Sequence, residues 1–196
     1  MYILHYTLGF PPYRSGGLTK YAFDLMKAQK ELGYNVCAIY PSGMSFFHKK
    51  CHICFDKIIN GIVVYKIVNP MPVPLLYGVK DIDSMINENK IGISSFIGLL
   101  DNLKPDILHI HTLMGLPKIF LEIAHKRNIK IVYTSHDYYG LCLKVNFINN
   151  IGEVCIMPQN KSCKECNKNA KSACFLRARN EKIIIPIKKI LKKWKR

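Results

Sequence analysis

An α/β fold, with a parallel sheet covered by helices on both faces, is the architecture this sequence predicts. Three observations carry that reading. Short apolar runs alternate with helical patterns between residues 2 and 135, the order expected of strand–helix–strand units. The runs are nearly continuously apolar, as strands buried on both sides are. Glycines and prolines cluster where the runs end, so each strand is expected to empty into a loop.

The first strand is expected in "YILHYTL" (2–8), which ends in the breaker-rich "GFPPYRSGG". Leu18, Tyr21, Ala22, Leu25, Met26 and Leu32 then recur at steps of three and four, predicting a helix with its apolar face on those residues and a stop at Gly33. "NVCAIYP" (35–41) and "GIVVYKIV" (61–68) read as the second and third strands, and "NPMPVPLL" is kept out of regular structure by its prolines. Residues 80–103 read as helix, in one piece or in two around Gly92. "DILHIH", the helical "LPKIFLEIAHKRN" and the strand "KIVYTSH" (130–135 with its terminal His136) complete the pattern, which dissolves near residue 138 into a Cys-rich stretch.

At 196 residues the chain is long enough to bury a core. With 49% hydrophobic and 21% charged residues its composition is globular, not disordered. No apolar run reaches the ~18 residues of a membrane-spanning helix, and "MYILHYTLGF" lacks the basic n-region of a signal peptide. The expected location is therefore the cytoplasm. The formal charge is +16, of which +11 falls in residues 161–196. Such a tail suits nucleic acid, an anionic membrane surface or an acidic partner, or is simply a solvated surface.

In an open parallel sheet, ligands bind beyond the carboxyl ends of the strands, and the unusual residues fall there. The first strand runs into Gly9, Pro11, Pro12, Gly16 and Gly17; another ends on His111, Thr112 and Gly115; a third ends on His136 and Asp137. Gly16 and Gly17 precede a helix, where backbone N–H groups and the helix dipole favour phosphate, although a double glycine also serves as a plain turn. His109, deeper in its strand, reads as structural. His111 and His136, at the rim, are placed either to hold a hydrogen bond or to move a proton.

Taken together, "GFPPYRSGGLTKYAFDLMKAQKELGYNV", "NPMPVPLL", "KPDILHIHTLMGLP" and "TSHDYYGLC" resemble the amino-terminal half of a family 4 glycosyltransferase of the two-Rossmann-domain (GT-B) type, most closely its bacterial polysaccharide subgroup. The resemblance implies a Rossmann-like sheet and transfer of a sugar, with retention of configuration, from a nucleotide-sugar donor to a polysaccharide or lipid-linked glycan acceptor. It implies that Gly16 and Gly17 approach the donor phosphates, that His111 lines the reaction centre, and that His136 and Asp137 lie on the acceptor side. It also implies a second Rossmann domain with a Glu-x7-Glu motif, which these residues do not contain. The expectation is a half-enzyme that catalyses little alone: a fragment, the product of a truncated and decayed gene, or one chain of a split pair whose donor domain a separate chain supplies.

The expected division is a Rossmann-like acceptor-side domain over 1–140, a Cys-rich insertion over 141–178 and a basic amphipathic helix over 179–196. Cys155-x7-Cys163-x2-Cys166-x7-Cys174, with Cys142 upstream, offers thiolates for a structural Zn²⁺. Cys155, Cys163 and Cys166 would form the set, with Cys142 or Cys174 as the fourth ligand; reduced loop thiols are the alternative. A second C-x-x-C, Cys51 to Cys54, has no evident partners. Ile187, Ile190, Leu191 and Trp194 recur at helical spacing among lysines, a pattern suited to an anionic membrane interface. Two other functions fit parts of the chain: a metal-dependent nucleic-acid-binding protein, or a non-catalytic membrane-associated partner of another transferase. The basic region lacks interleaved aromatics, so nucleic acid is the less expected ligand.

Overall fold

The computed structural model describes residues 1–45, 49–80, 90–156 and 160–179. Its centre is a sheet of six strands: β1 (Tyr2–Tyr6), β2 (Asn35–Pro41), β3 (His52–Ile59), β4 (Ile62–Val68), β5 (Ile107–Ile110) and β6 (Lys130–Tyr133), in the order β3-β4-β2-β1-β5-β6. All neighbours are parallel except β3 and β4, which form an antiparallel hairpin turning at Asn60 and Gly61, both at positive φ. The fold is thus the Rossmann-like α/β sheet predicted, with one addition. β3 was not expected, because "HICFDKII" mixes polar and apolar residues and bulges between Phe55 and Lys57, as an edge strand tolerates.

Helices α1 (Gly17–Glu31), α2 (Ile93–Leu103) and α3 (Lys118–Lys126) cover the sheet. One face packs α1, through Ala22 and Met26, on Val36, Ala38 and Val64. The other packs Phe96, Leu99 and Leu100 of α2 and Phe120, Ile123 and Ala124 of α3 on Leu4, Ile39, Leu108 and Ile110. Phe96 and Phe120 meet at 5.5 Å between ring centres. Strand residues of even and odd number separate onto these faces because side chains alternate along a strand.

The expected apolar face of α1 needs one correction. Its buried residues are Thr19, Ala22 and Met26, whereas Tyr21 is 47% exposed and Leu32 is 73% exposed. Tyr21 points along the helix to the rim of the sheet. Of the helix expected over 80–103, Ile93–Leu103 forms as α2, and residues 81–89 lie outside the described residues. The Cys-rich stretch is less irregular than expected. It holds two short helices, α4 (Asn160–Cys166) and α5 (Ala173–Arg179), and an antiparallel bridge between Ile148 and Val154. The basic helix expected over 179–196 lies, beyond Arg179, outside the described residues. No helix among the described residues is long and apolar enough to cross a membrane.

Candidate active site at the sheet rim

The opening loop after β1 leads to Gly16, which begins α1 at φ +136 without a side-chain cap, and the first turn of α1 carries no acidic residue. A Cβ on Gly16 or Gly17 would meet nothing within 4 Å, so space lies open in front of the helix's unpaired N–H groups. One turn later, the Tyr21 ring stands edge-on to His136, at 4.9 Å between centres, and 6.0 Å from His111. The glycine loop, His111 and His136 are therefore neighbours, brought together by three different strand ends.

His111 sits deep in this rim, 1% exposed. It belongs to a row of rings. The register pairs His5 of β1 with His109 of β5, so both imidazoles project from the α1 side of the sheet and His111 follows two residues on. His5 Nε2 lies 2.7 Å from Gln29 Oε1 on α1; His5 Nδ1 lies 3.0 Å from His111 Nε2; and His111 Nδ1 lies 3.4 Å from His136 Nε2. His109 stacks on His111 at 4.2 Å and contacts Thr134 Oγ1 through Nε2 at 2.8 Å.

The chain of contacts fixes the protons. With Gln29 presenting its carbonyl oxygen, His5 Nε2–H donates and His5 Nδ1 must accept. His111 Nε2–H then donates to His5, leaving His111 Nδ1 to accept from His136 Nε2–H. His136 Nδ1 ends the relay as a base. Neutral rings suit this arrangement. Burial, then the neighbouring His109, lowers His5 to about 4, and burial with the surrounding histidines lowers His111 to about 3. Burial also lowers His136, against a smaller opposing pull from Asp137.

Asp137 lies at the rim, but one oxygen is engaged: Oδ1 accepts the Tyr139 N–H at 2.9 Å, shaping the turn after β6. Gly115 answers to packing. At φ +79, its absent Cβ would fall 2.7 Å from Pro41 Cβ and 2.9 Å from Val73 Cγ2, and the loop is tied down by Tyr6 O–H donating to Met114 O at 2.7 Å. Beside it an apolar hollow of about 320 Å³, lined by Met71, Leu113, Leu116, Tyr139 and Leu143, opens between the loops after β5 and β6. A larger groove of about 540 Å³, around Lys104, Asp106 and Arg127, lies at the opposite ends of the strands and holds none of these residues.

His5, Gln29 and Tyr21 were not singled out from the sequence. The signal for His5 was present: an imidazole inside an apolar strand, the same oddity His109 shows. As possible metal ligands, His5, His109 and His111 bring three ring nitrogens within 4.8 Å of one another. A cation there would have to replace the proton shared between His5 and His111, with no carboxylate or thiolate of the described residues joining the group to balance its charge, so the hydrogen-bond relay describes the trio better. In the Cys51 to Cys54 pair, Cys51 is buried in the core beside Ile53, and Cys54 falls on the other face of the strand. That pair cannot chelate one ion.

A largely parallel α/β sheet whose glycine loop, helix amino terminus and histidines converge at the carboxyl ends of the strands is a Rossmann-like domain, a class in which ligands bind at that rim. Its sequence matches Glycosyltransferase Family 4 over residues 15–151, and the chain belongs to that family. No curated protein and no solved structure matches it.

Proposed function

We propose that this chain is the acceptor-side domain of a glycosyltransferase that moves a sugar from a nucleotide-sugar to a polysaccharide or lipid-linked glycan. The observation that carries the reading is the meeting of an uncapped helix amino terminus with the His111–His136 pair at one rim. Gly16 and Gly17 let the donor phosphates approach the α1 N–H groups, where the helix dipole favours their charge. His111, held neutral and fixed in tautomer by His5, lines the reaction centre. His136 Nδ1 accepts the proton of the attacking acceptor hydroxyl, and the adjacent Asp137 stabilises the imidazolium that results.

The apolar hollow beside Gly115 suits the lipid portion of an acceptor. An acceptor of that kind places the domain at the cytoplasmic face of a membrane, consistent with the lysine-rich amphipathic pattern of residues 187–194. A second Rossmann domain, in the same or a separate chain, holds the nucleotide. The test is transfer of label from UDP- and GDP-sugars into lipid-extractable product by the protein in its native membranes. His136→Asn should lower the rate at least ~10²-fold, the scale of a lost general base. Undiminished transfer by both His136→Asn and His111→Asn enzymes would refute the assignment.

A further inference from the structure

No three of the cysteines beyond the rim converge. Among the described residues the one group of three possible metal ligands that meets is His5, His109 and His111, and Cys142, Cys155, Cys163, Cys166 and Cys174 stand as unbridged thiols. The stretch that carries them has a different property: it turns aliphatic side chains outward. Leu141, Ile148, Ile151 and Val154 are exposed, and Ile156 is 91% exposed. Single exposed apolar residues are ordinary on a protein surface, but a run of them on one element marks a contact.

The element is a hairpin. Ile148 and Val154 oppose each other across an antiparallel bridge, so both stand on one face, and Ile156 follows two residues on. Ile151 lies at the tip. Asn149 and Glu153 alternate to the other face, where Asn149 Nδ2–H donates to Glu153 Oε2 at 3.3 Å. The backbone donors are bonded within the loop. Asn149 Oδ1 accepts the N–H groups of Ile151 and Glu153, and Asn146 Oδ1 accepts that of Ile148. Asn149 N–H donates to Glu153 O, Gly152 N–H to Asn149 O and Cys155 N–H to Phe147 O. A segment so satisfied gives up little hydrogen bonding on leaving water.

Its surroundings are apolar on one side and basic on the other. At the base, the Phe147 ring meets Tyr138 edge-on at 4.6 Å between centres, next to Tyr139, Gly140 and Leu143, which wall the apolar hollow. Residues 141–179 hold seven Lys or Arg against two acids, Glu153 and Glu165. Lys164, Lys168 and Lys171 are exposed, and Lys144 Nζ, 3.6 Å from Cys166 Sγ, ties α4 to the turn that precedes the hairpin.

We infer that the 147–156 hairpin docks this domain on an anionic lipid bilayer, its aliphatic face entering the headgroup region while the lysines of the same stretch meet lipid phosphates. Apolar insertion and opposite charge act together at such an interface. A second copy of the chain is a poorer occupant, because it would bring the same positive charge to the contact. The inference rests on the proposed function only for its purpose, delivery of a lipid-borne acceptor to the hollow; the contact itself needs no sugar transfer.

The experiment is sedimentation of the full chain with vesicles of phosphatidylglycerol and phosphatidylcholine, without any sugar donor. The wild-type chain should pellet with them. A double variant, Ile151→Asn with Val154→Asn, should bind at least ~10-fold more weakly, because two aliphatic side chains are lost from the interface. Leu32→Asn, at the far end of α1 from the rim, removes a leucine that is just as open to solvent and should bind as wild type. Ile151→Trp in a Trp194→Phe chain reports depth: its emission should shift to the blue on binding and be quenched by brominated acyl chains. The inference is overturned if the double variant binds as tightly as wild type, if the Ile151→Trp emission is unchanged on binding, or if the hairpin variants instead abolish a dimer in vesicle-free solution. The fluorescence decides the matter even where the double variant does not fold. Transfer that fails while vesicle binding stands would count against the proposed reaction and leave this surface in place.

Discussion

Acid should unfold this domain earlier than its carboxylates alone would dictate, because burial lowers the imidazoles of His5, His109 and His111, the first and last most. His5 is lowered from 6.5 to about 4 and His111 to about 3, chiefly by burial. In the unfolded chain both titrate near their ordinary value of ~6.5. Between that value and the folded ones the unfolded state therefore binds more protons, and stability is lost as pH falls. From pH 7.5 to 5.0, each such histidine costs about 2 kcal/mol, and the pair about 4 kcal/mol. That is a large part of the ~5–15 kcal/mol typical of a domain. Carboxylates titrate mostly below this window. Urea unfolding at several pH values, read as midpoint at constant m, measures the effect. His5→Gln should remove about half of the fall. A wild-type loss under ~1 kcal/mol across the same window, or a His5→Gln variant as acid-sensitive as the parent, would refute the neutral relay.

Gly115→Ala should destabilise by about 2–4 kcal/mol, since it combines a left-handed φ with overpacking against Pro41 and Val73; a midpoint shift in urea reads it, and an unchanged midpoint would contradict the packing. Phe120→Ala, which empties the centre of the α2–α3 face, should cost about 3–5 kcal/mol in the same assay while leaving the acid slope as it was.

β1, β2, β4 and β5 were legible because burial leaves a nearly continuous apolar run, whereas β6, an edge strand exposed along most of its length, was legible from the short run Ile131–Tyr133 without that burial. β3 escaped because its outer edge meets solvent, and its Asp56 and Lys57 break the apolar run. His111 and His136 were legible as candidates because a parallel sheet places its loops predictably at one rim. Their partners were not. Tyr21 occupies a helical position that periodicity assigns to the core, and only the entry angle of α1 turns it toward His136. Gln29 reads as an ordinary surface residue until the sheet brings His5 within 2.7 Å of it. His5 itself was readable, but its meaning depends on which strand lies alongside, and strand order is not written in any local pattern.

That order has a consequence for tolerance to change. His5 and His109 share a rung of the β1–β5 ladder, so the register works as wiring and not merely as packing. Sliding β1 by one residue would set Leu4 among the imidazoles and turn His5 to the opposite side of the sheet, cutting the line from Gln29 to His136 in a domain that still looked folded. An insertion or deletion within β1 or β5 is therefore a break in the circuit, whereas one in the β3–β4 hairpin leaves every connection in place.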